Sequence, residues 1–413
     1  MRCEVVAVGT ELLLGQIVDT NSSWIGEQLA FAGLDCVFQV KVGDNADRIR
    51  STLIAALDRS DAVIVCGGLG PTQDDITRDM IADVMGVALV RDEDLEDRIR
   101  SMFGSRGRNM PENNLRQADV PAGASILDPM PGTAPGLRCP IGDKVIYAVP
   151  GVPWELQQMI SGSVIPELRA RMGDTAVIRS RVIRTWGQSE SGIAEQLAGY
   201  HDELEASGHC TLAFLASGIE GLKVRLTAKA ATADEADTLL ADEVTTVASV
   251  LGDSVFTIHD ESMEQVILRM LGEQGLTMGT AESMTGGLIA SRLTNVPGAS
   301  AVFRGSIVSY ASEVKFDVLG VPRGPVISEE AAMAMAEGAC RVLGCDVAVS
   351  VTGVAGPEMQ EGQKPGTVWL GTCVDGVAGA LPVRLPGDRE RIRQFATISV
   401  LDLLRRQLQA RAT

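Results

Sequence analysis

The sequence has no excess of basic residues and only three histidines, none of them after His259. Its formal net charge is −18 at pH 7. Binding along a nucleic acid backbone needs clustered Lys and Arg, so this charge argues against nucleic acid as the main ligand. Arginine-rich runs at 98–108 and 384–393 are interleaved with acidic residues or glycine, and we interpret them as solvated faces, with phosphate contacts as the alternative. The missing histidines argue against a Ser-His-Asp triad in the last part of the chain.

Long apolar runs and metal-binding cysteine patterns are also missing. No uninterrupted apolar run reaches the ~20 residues of a membrane helix. The N-terminus begins directly as a predicted strand, without the charged and apolar regions of a signal peptide. Eight cysteines are scattered along the chain, and no pair has a zinc-ribbon or redox spacing. We therefore expect a cytoplasmic protein without membrane association, whose cysteines are buried free thiols.

Composition and pattern favour an α/β protein. Hydrophobic residues make up 45% of the 413 residues, 44 are glycine and only 4% are aromatic. This balance is typical of strands joined to helices by tight turns. Residues 1–170 alternate continuous apolar strands with helices, which predicts a three-layer domain with a mostly parallel sheet. Ligands should bind at the carboxyl ends of its strands.

Two further regions follow this domain. Strands with alternating polar and apolar positions, from about Thr175 to His259, predict a small α+β module with antiparallel strands. The remaining residues return to strands separated by helices, which predicts a second α/β domain. We expect three domains, 1–170, 171–258 and 259–413, with a spacer or docking role for the middle one.

A glycine-rich strand end in the first domain is a candidate phosphate site. Gly67, Gly68 and Gly70 follow a buried apolar strand. Glycines let backbone amides approach a phosphate, and carboxylates nearby can hold a divalent cation. A plain turn with a helix-capping aspartate is the alternative. We expect other polar residues of this segment, and of similar clusters at strand ends, to line the same pocket. They are Asp74, Asp75, Thr77, Glu11, Asn21, Asn109, Asn113, Asn114 and Glu155.

A hydroxyl-rich turn in the last domain is the second candidate. Ser283 lies between an apolar run and a predicted helix that begins at Leu288. Free amides and the dipole at a helix N-terminus favour developing negative charge, which phosphate binding and oxyanion chemistry both need. A serine near a partly desolvated lysine can act as a nucleophile, and Lys315 and Tyr310 follow along the chain. The alternative is that Ser283 and Thr285 only cap the helix.

The last 150 or so residues closely resemble the C-terminal domain of the CinA family, which is named for competence and damage inducibility. The resemblance implies a nicotinamide mononucleotide amidohydrolase that needs no metal and releases nicotinate mononucleotide and ammonia. The motifs that carry it, in order, are Thr280–Gly287, Gly298–Ser300, Arg304–Gly305, Ser309–Lys315, Ser350–Pro357 and Lys364–Val368.

This resemblance also implies residue roles. Ser283 is expected to be the nucleophile, with Ser300 as the rival. Lys315 would be the general base, and Tyr310 would aid proton transfer or orientation. The residues expected to bind the substrate or the oxyanion are Thr285, Gly286, Gly287, Arg304, Thr352, Gly353 and Gly356. Family members often have Cys where this chain has Met284, and a thioether cannot act as a thiolate, which excludes a cysteine mechanism there.

The first domain resembles the molybdopterin-binding fold in the form found at the CinA N-terminus. That form implies an ADP-ribose pyrophosphatase that depends on a divalent metal, Mg²⁺ or Co²⁺, and yields AMP and ribose 5-phosphate. Expected metal ligands are Asp74, Asp75 and Glu155, and expected ligand contacts are Glu11, Asn21, Gly67, Gly68, Gly70, Thr77, Asn113 and Asn114. A pterin-binding or competence-related protein with an inactive N-terminal site is the alternative. A homodimer is the default expectation.

Overall fold

The structure is a computed structural model that describes residues 1–104, 110–173, 177–216 and 218–412. Three predicted features lie outside the described residues: Asn109, a part of the arginine-rich run 98–108, and the start of the alternating strands at Thr175. The chain divides into two compact units. The first comprises Met1–Ile178 and Lys229–Ala233, and the second comprises Arg179–Ala228 and Asp234–Thr413.

The first unit contains a six-stranded sheet with the order β2-β1-β3-β8-β7-β6. Strands β2, β1, β3 and β8 are parallel, and β7 and β6 are antiparallel. The predicted mostly parallel sheet is confirmed. The elements are β1 (Arg2–Val8), α1 (Thr10–Leu13), α2 (Thr20–Phe31), β2 (Asp35–Val42), α3 (Ala46–Arg59), β3 (Ala62–Cys66), α4 (Thr77–Met85), β4 (Leu89–Arg91), α5 (Glu93–Gly104), a 3-10 helix (Glu112–Ala118), β5 (Asp119–Pro121), β6 (Ser125–Ile126), β7 (Leu137–Ile141), β8 (Lys144–Val149), α6 (Pro153–Met159), a π-helical turn (Ile160–Val164) and α7 (Ile165–Arg171).

The central strands of this sheet are almost entirely buried. Every residue of β3 is buried, and so are five of the six residues of β8. Continuous Val, Ile and Ala runs form such strands because helices cover both faces of the sheet. The consequence for function is positional: β1, β3 and β8 are parallel, so the loops at their carboxyl ends meet at one edge.

The middle module is a four-stranded sheet with the order β10-β11-β9-β12 and two helices. Alternate residues of β11 are buried, as its alternating sequence predicts. The pairs β10–β11 and β9–β12 are antiparallel, which confirms the predicted α+β pattern. Its elements are β9 (Val177–Thr185), α8 (Glu190–Ser207), β10 (Cys210–Ala216), β11 (Leu222–Ala230), α9 (Ala233–Leu251) and β12 (Val255–Thr257).

The C-terminal part contains a five-stranded sheet with the order β14-β13-β15-β16-β17. The first three strands are parallel, and the last two continue the sheet as antiparallel strands. Its core includes the fully buried Val347, Val349 and Val351 of β15. The elements are α10 (Met263–Gln274), β13 (Met278–Glu282), α11 (Leu288–Thr294), a 3-10 turn (Ala299–Ala301), β14 (Phe303–Val308), α12 (Ser312–Asp317), α13 (Glu329–Leu343), β15 (Val347–Gly353), β16 (Thr367–Val374), β17 (Val377–Arg384) and α14 (Arg389–Ala412). No helix of the described part is long and apolar enough to span a bilayer.

We predict that Gly67→Ala destabilises the first unit more than Gly86→Ala does. Both glycines have positive φ, 102° and 69°, but only a Cβ at Gly67 would collide with a backbone oxygen, that of Val8. The left-handed backbone costs an L residue roughly 1–2 kcal/mol, and the collision adds roughly 1–3 kcal/mol. Calorimetric unfolding of both variants measures the difference. Equal losses would show that the approach of Gly67 to β1 is not a tight constraint.

Candidate functional site

The first unit has an open cavity of about 580 Å³ at the carboxyl ends of β1, β3 and β8. Loops that follow each of these strands contribute to its walls, as expected for an α/β sheet. Eight predicted site residues line this one cavity: Glu11, Asn21, Gly67, Gly68, Gly70, Asp74, Asp75 and Glu155. The structure thus brings together residues that are up to 144 positions apart, since Glu11 and Glu155 both lie here.

Two side chains lie behind the loop 67–70, the glycine loop, and bind its backbone carbonyls. The Thr77 hydroxyl donates to the carbonyl oxygen of Gly67 at 2.9 Å. The guanidinium of Arg78, which is 1% exposed, donates to the carbonyls of Leu69 at 3.3 Å and Gly70 at 3.1 Å. These hydrogen bonds anchor three carbonyls of the loop to side chains that do not line the cavity. Sequence reasoning missed Arg78, because a helical arginine next to an aspartate reads as a surface residue.

Three predicted contact residues of the first domain do not line the cavity. Thr77 is fully buried behind the loop and supports it. Asn114 is buried, and its amide donates to the carbonyl of Pro111 at 3.3 Å, whereas Asn113 is exposed. The 3-10 helix that carries both asparagines presents Gln117 to the cavity instead. The angular position of each residue around that short helix, which composition does not reveal, decides which of its polar residues reaches the site.

The walls of this cavity are acidic. Six carboxylate residues line it, and no Lys or Arg is among the described lining residues. The six are Glu11, Asp19, Asp44, Asp74, Asp75 and Glu155. Sequence reasoning missed Asp44, whereas Asp19 belongs to the same polar cluster as the predicted Asn21. Both aspartates have partners: Asp19 lies 3.5 Å from the Lys41 ammonium, and Asp44 accepts from the amide and hydroxyl of Thr10.

The expected metal ligands share the cavity but do not form a ligand set in this conformation. Asp75 accepts hydrogen bonds from the amide and the hydroxyl of Thr72. Hydrogen bonding by Thr72 also lowers the pKa of Asp74. Within the described ranges, no three acidic, Cys or His side chains converge closely enough to hold an ion. Carboxylate oxygens are the ligands that Mg²⁺ prefers, so these side chains supply suitable donors, although they do not converge on one point in this conformation.

The second unit has a cavity of about 420 Å³ at the carboxyl ends of β13, β14 and β15. The predicted residues that line it are Ser283, Tyr310, Lys315, Thr352, Gly353 and Gly356. Ser283 follows β13 directly, Tyr310 lies two residues beyond β14, and Thr352 lies at the end of β15. Parallel pairing of these strands is what brings the three side chains to one edge.

The turn after Ser283 is organised by the buried carboxylate of Glu282. Its oxygens accept from the backbone amides of Gly287 at 2.9 Å, Ile289 at 3.1 Å and Ala290 at 2.9 Å. The Ser306 hydroxyl donates to the same carboxylate at 3.1 Å. The expectation of free amides at this helix N-terminus is therefore wrong for these three, because Glu282 already occupies them. Neither Ser283 nor Thr285 caps the helix.

The other side of this turn is held by Arg393 of α14. Its guanidinium donates to the carbonyl of Met284 at 3.1 Å and to that of Thr285 at 2.6 Å. Thr285, Gly286 and Gly287 shape the turn and are not among the residues that line the cavity. Their predicted role in substrate contact is corrected to a role in backbone geometry. Gly286 and Gly287 have φ values of 63° and 94°, which an L side chain adopts only with strain.

Lys315 is a buried cation in the second cavity. It is 1% exposed, and its ammonium donates to the carbonyl of Ser309 at 2.6 Å. Burial lowers the pKa of Lys315, while the nearby carboxylates of Glu361 and Glu313 act in the opposite direction. A lysine in this setting loses its proton more readily than an exposed one, which suits a general base.

Tyr310 and Thr352 are held by hydrogen bonds at the cavity wall. The exposed Tyr310 hydroxyl accepts from Arg389 at 2.8 Å, and the same guanidinium donates to the carbonyl of Gly356 at 2.7 Å. The buried Thr352 hydroxyl donates to the carbonyl of Val326 at 2.6 Å. Arg389 was missed as an individual residue, although it belongs to the arginine-rich run for which phosphate contacts were the alternative.

Ser300 and Arg304 are not at this cavity. Ser300 is exposed in the 3-10 turn before β14, and Arg304 is exposed near the start of that strand. The start of β14 pairs with the start of β13, where Phe303 lies opposite Met278. Both residues thus lie toward the amino ends of the parallel strands, whereas the cavity is at the carboxyl ends. The expected roles of Ser300 as rival nucleophile and Arg304 as a substrate contact are not supported by this placement.

Comparison with known proteins covers nearly the whole chain. Family models match residues 4–170 (probable molybdopterin binding domain), 180–257 (damage-inducible protein CinA KH domain) and 260–408 (CinA C-terminal domain). The CinA-like protein of Frankia casuarinae is 48% identical over 418 aligned residues, covering 99% of this chain and 96% of that protein. The chain belongs to the CinA family.

One further relative is similar over its full length, and one solved structure is similar over part of the chain. A putative competence-damage inducible protein of Symbiobacterium thermophilum is 42% identical, with 99% of both chains covered. Among solved structures, the protein CinA with unknown function from Thermoplasma acidophilum is 34% identical, covering 39% of this chain and 96% of that one, at a TM-score of 0.37.

We predict that Glu282→Ala loosens the turn after Ser283. Loss of the carboxylate leaves the amides of Gly287, Ile289 and Ala290 without their acceptor, and buried unsatisfied donors cost about 1–3 kcal/mol each. Hydrogen exchange across 287–290 should accelerate. Glu329→Ala, which removes an exposed glutamate from the first turn of α13, is the matched control and should leave exchange at 287–290 unchanged. Unchanged exchange in Glu282→Ala would contradict the assigned role.

Proposed function

We propose that this CinA-family chain hydrolyses the amide of nicotinamide mononucleotide in its second cavity. One observation carries the proposal: the buried Lys315, whose pKa is lowered by burial, and the half-buried hydroxyl of Ser283 line the same cavity. This pairing supplies a nucleophile and a base to a region without histidine. Arg389 adds an exposed cation at the cavity, which suits a substrate with a phosphate group.

The reaction follows from these residues in two halves. Neutral Lys315 accepts the Ser283 proton as the hydroxyl oxygen attacks the amide carbon, and the tetrahedral intermediate forms. The C–N bond then breaks, and the proton passes from Lys315 to the leaving nitrogen, which departs as ammonia. Water attacks the resulting ester with Lys315 again as the base. Nicotinate mononucleotide leaves, and the Ser283 hydroxyl and the neutral lysine are restored.

We predict that the intact protein releases ammonia from nicotinamide mononucleotide in the presence of a chelator. Ser283→Ala and Lys315→Met should each lower kcat by at least roughly a hundredfold, because both groups act on the reacting atoms. Ser300→Ala is the matched control and should retain activity, since Ser300 lies away from the cavity. Loss of activity in Ser300→Ala, with Ser283→Ala intact, would reverse the assignment of the nucleophile.

The first cavity supports a second proposed activity, cleavage of the ADP-ribose diphosphate to AMP and ribose 5-phosphate. A glycine loop at a strand end offers a close approach to phosphate, and six carboxylates surround it. Acidic walls without a Lys or Arg among the described lining residues repel a diphosphate, so a bound divalent cation would have to supply the countercharge. That charge balance supports a metal-dependent reaction. A site that binds a pterin or nucleotide without catalysis is the alternative.

We predict that AMP release from ADP-ribose requires added Mg²⁺ or Co²⁺ and stops with chelator. Asp74→Asn should lower the rate by roughly tenfold or more, since it removes a carboxylate from the cavity. Asp97→Asn makes the same change on the exposed face of α5 and should leave the rate unchanged. Retention of ligand without AMP release at any metal concentration would favour the binding alternative.

A further inference from the structure

The loop between β15 and β16 contains one residue in an unusual backbone conformation. Glu361 has a φ of 50°, in the left-handed region that residues other than glycine rarely adopt. On either side of it, Gln360 and Gln363 pair through two backbone hydrogen bonds of 3.1 and 2.8 Å. The chain therefore makes a tight turn with Glu361 near its tip. Gly362, the other central residue of this turn, also has a positive φ, 72°, as a two-residue turn of this kind requires.

The carboxylate of Glu361 binds the cavity wall. It accepts from the amide of Val326 at 3.0 and 3.2 Å and from that of Ile327 at 3.1 Å. Val326 and Ile327 both line the second cavity. The carbonyl of Val326 accepts in turn from Thr352 at 2.6 Å. The wall segment is thus bound through its backbone on both sides: Glu361 binds its two amide N–H groups, and Thr352 binds the carbonyl of Val326.

Glu361 also acts on Lys315 through its charge. Burial is the main effect on the pKa of Lys315 and lowers it, and the Glu361 carboxylate is the larger of two charges that raise it, ahead of Glu313. Glu361 and Glu313 are not among the described residues that line the cavity, and the charged or titratable groups that do line it besides Lys315 are Tyr310, Glu358 and Arg389. Tyr310 and Arg389 are hydrogen-bonded to each other. The carboxylate that holds the wall is therefore also the main opposing charge for the buried ammonium group.

We propose that Glu361 is a positioning residue of the second cavity: its carboxylate fixes the Val326–Ile327 wall and places a negative charge near the buried Lys315. Through this one side chain, the loop between β15 and β16 influences both the shape of the site and the protonation of its base. The kinetic consequence rests on the amidase function proposed above. The structural and electrostatic parts do not, and they are measurable without substrate.

The test separates charge from shape. A single oxygen of Glu361, Oε2, accepts from both amides. The amide oxygen of the glutamine in Glu361→Gln can therefore keep a bond to each of them, while the negative charge is lost. Glu361→Ala loses both charge and bonds. Glu313→Gln removes the weaker charge without touching the wall. Glu337→Gln is the control, because Glu337 is exposed on α13 and has no part in the shift of Lys315.

The readout is a pH titration of the lysine side chains by NMR. The chain has only six lysines, so the Lys315 signal is assigned by its absence in Lys315→Met. We expect Lys315 to titrate at lower pH in Glu361→Gln than in the native protein, because an opposing charge is gone. Glu313→Gln should shift it less, and Glu337→Gln not at all. Titration of Lys315 at the native pH in Glu361→Gln would overturn the proposal.

Kinetics with nicotinamide mononucleotide add a second readout. A general base acts when neutral, so the acidic limb of kcat/KM should move to lower pH in Glu361→Gln together with the NMR titration. Glu361→Ala should in addition raise KM by roughly tenfold, because the wall loses its anchor. A KM change without a shift of the titration would show a merely structural role and refute the proposal. If Lys315 titrates at lower pH in Glu361→Gln but neither this variant nor the native protein releases ammonia, the amidase function is refuted. The effect of the Glu361 charge on Lys315 would still be supported.

Discussion

The carboxylate of Glu282 binds three backbone amides of the turn and helix that follow it, and the candidate amidase site depends on this interaction. Buried amides need acceptors, and an anionic acceptor at the start of α11 meets both that need and the helix dipole. Ser283 is the next residue along the chain, so its position is determined by the peptide that Glu282 anchors. Arg393 binds the carbonyls on the other side of the turn, which leaves the turn little freedom.

A similar arrangement recurs at the other cavity. There, Arg78 and Thr77 bind the carbonyls of the glycine loop from behind. In both cases a side chain that never faces the cavity controls a loop at the carboxyl end of a parallel strand. Such loops have few backbone partners of their own, so a buried side chain must supply the missing hydrogen bonds. The two cavities differ in charge: only carboxylates are among the described charged residues that line the first, whereas Lys315 and Arg389 line the second together with one carboxylate, that of Glu358.

Much of this arrangement was predictable from sequence pattern. Continuous apolar strands separated by helices predicted the parallel sheets, and the rule that ligands bind at the carboxyl ends placed Gly67, Asp74, Ser283 and Thr352 at cavities. The same rule, applied with the strand register, would have excluded Ser300, which precedes its strand. Glu282 could have been suspected as well, because a glutamate that ends a buried strand requires a hydrogen-bonding partner.

The sequence by itself determined which segments are strands, where their carboxyl ends fall and which polar residues lie there, because hydrophobic periodicity and turn chemistry are local properties. Only the tertiary structure decided which of those polar residues face a cavity and which hold a loop from behind. Thr77 and Thr352 are both buried threonines at strand ends or helix starts, yet one lies behind its loop and the other lines a cavity. Arg393 and Glu361 likewise bind backbone atoms 34 to 109 positions away along the chain, and no local pattern encodes such contacts. Their partners are selected by strand order and helix packing, which emerge when the whole sheet is assembled.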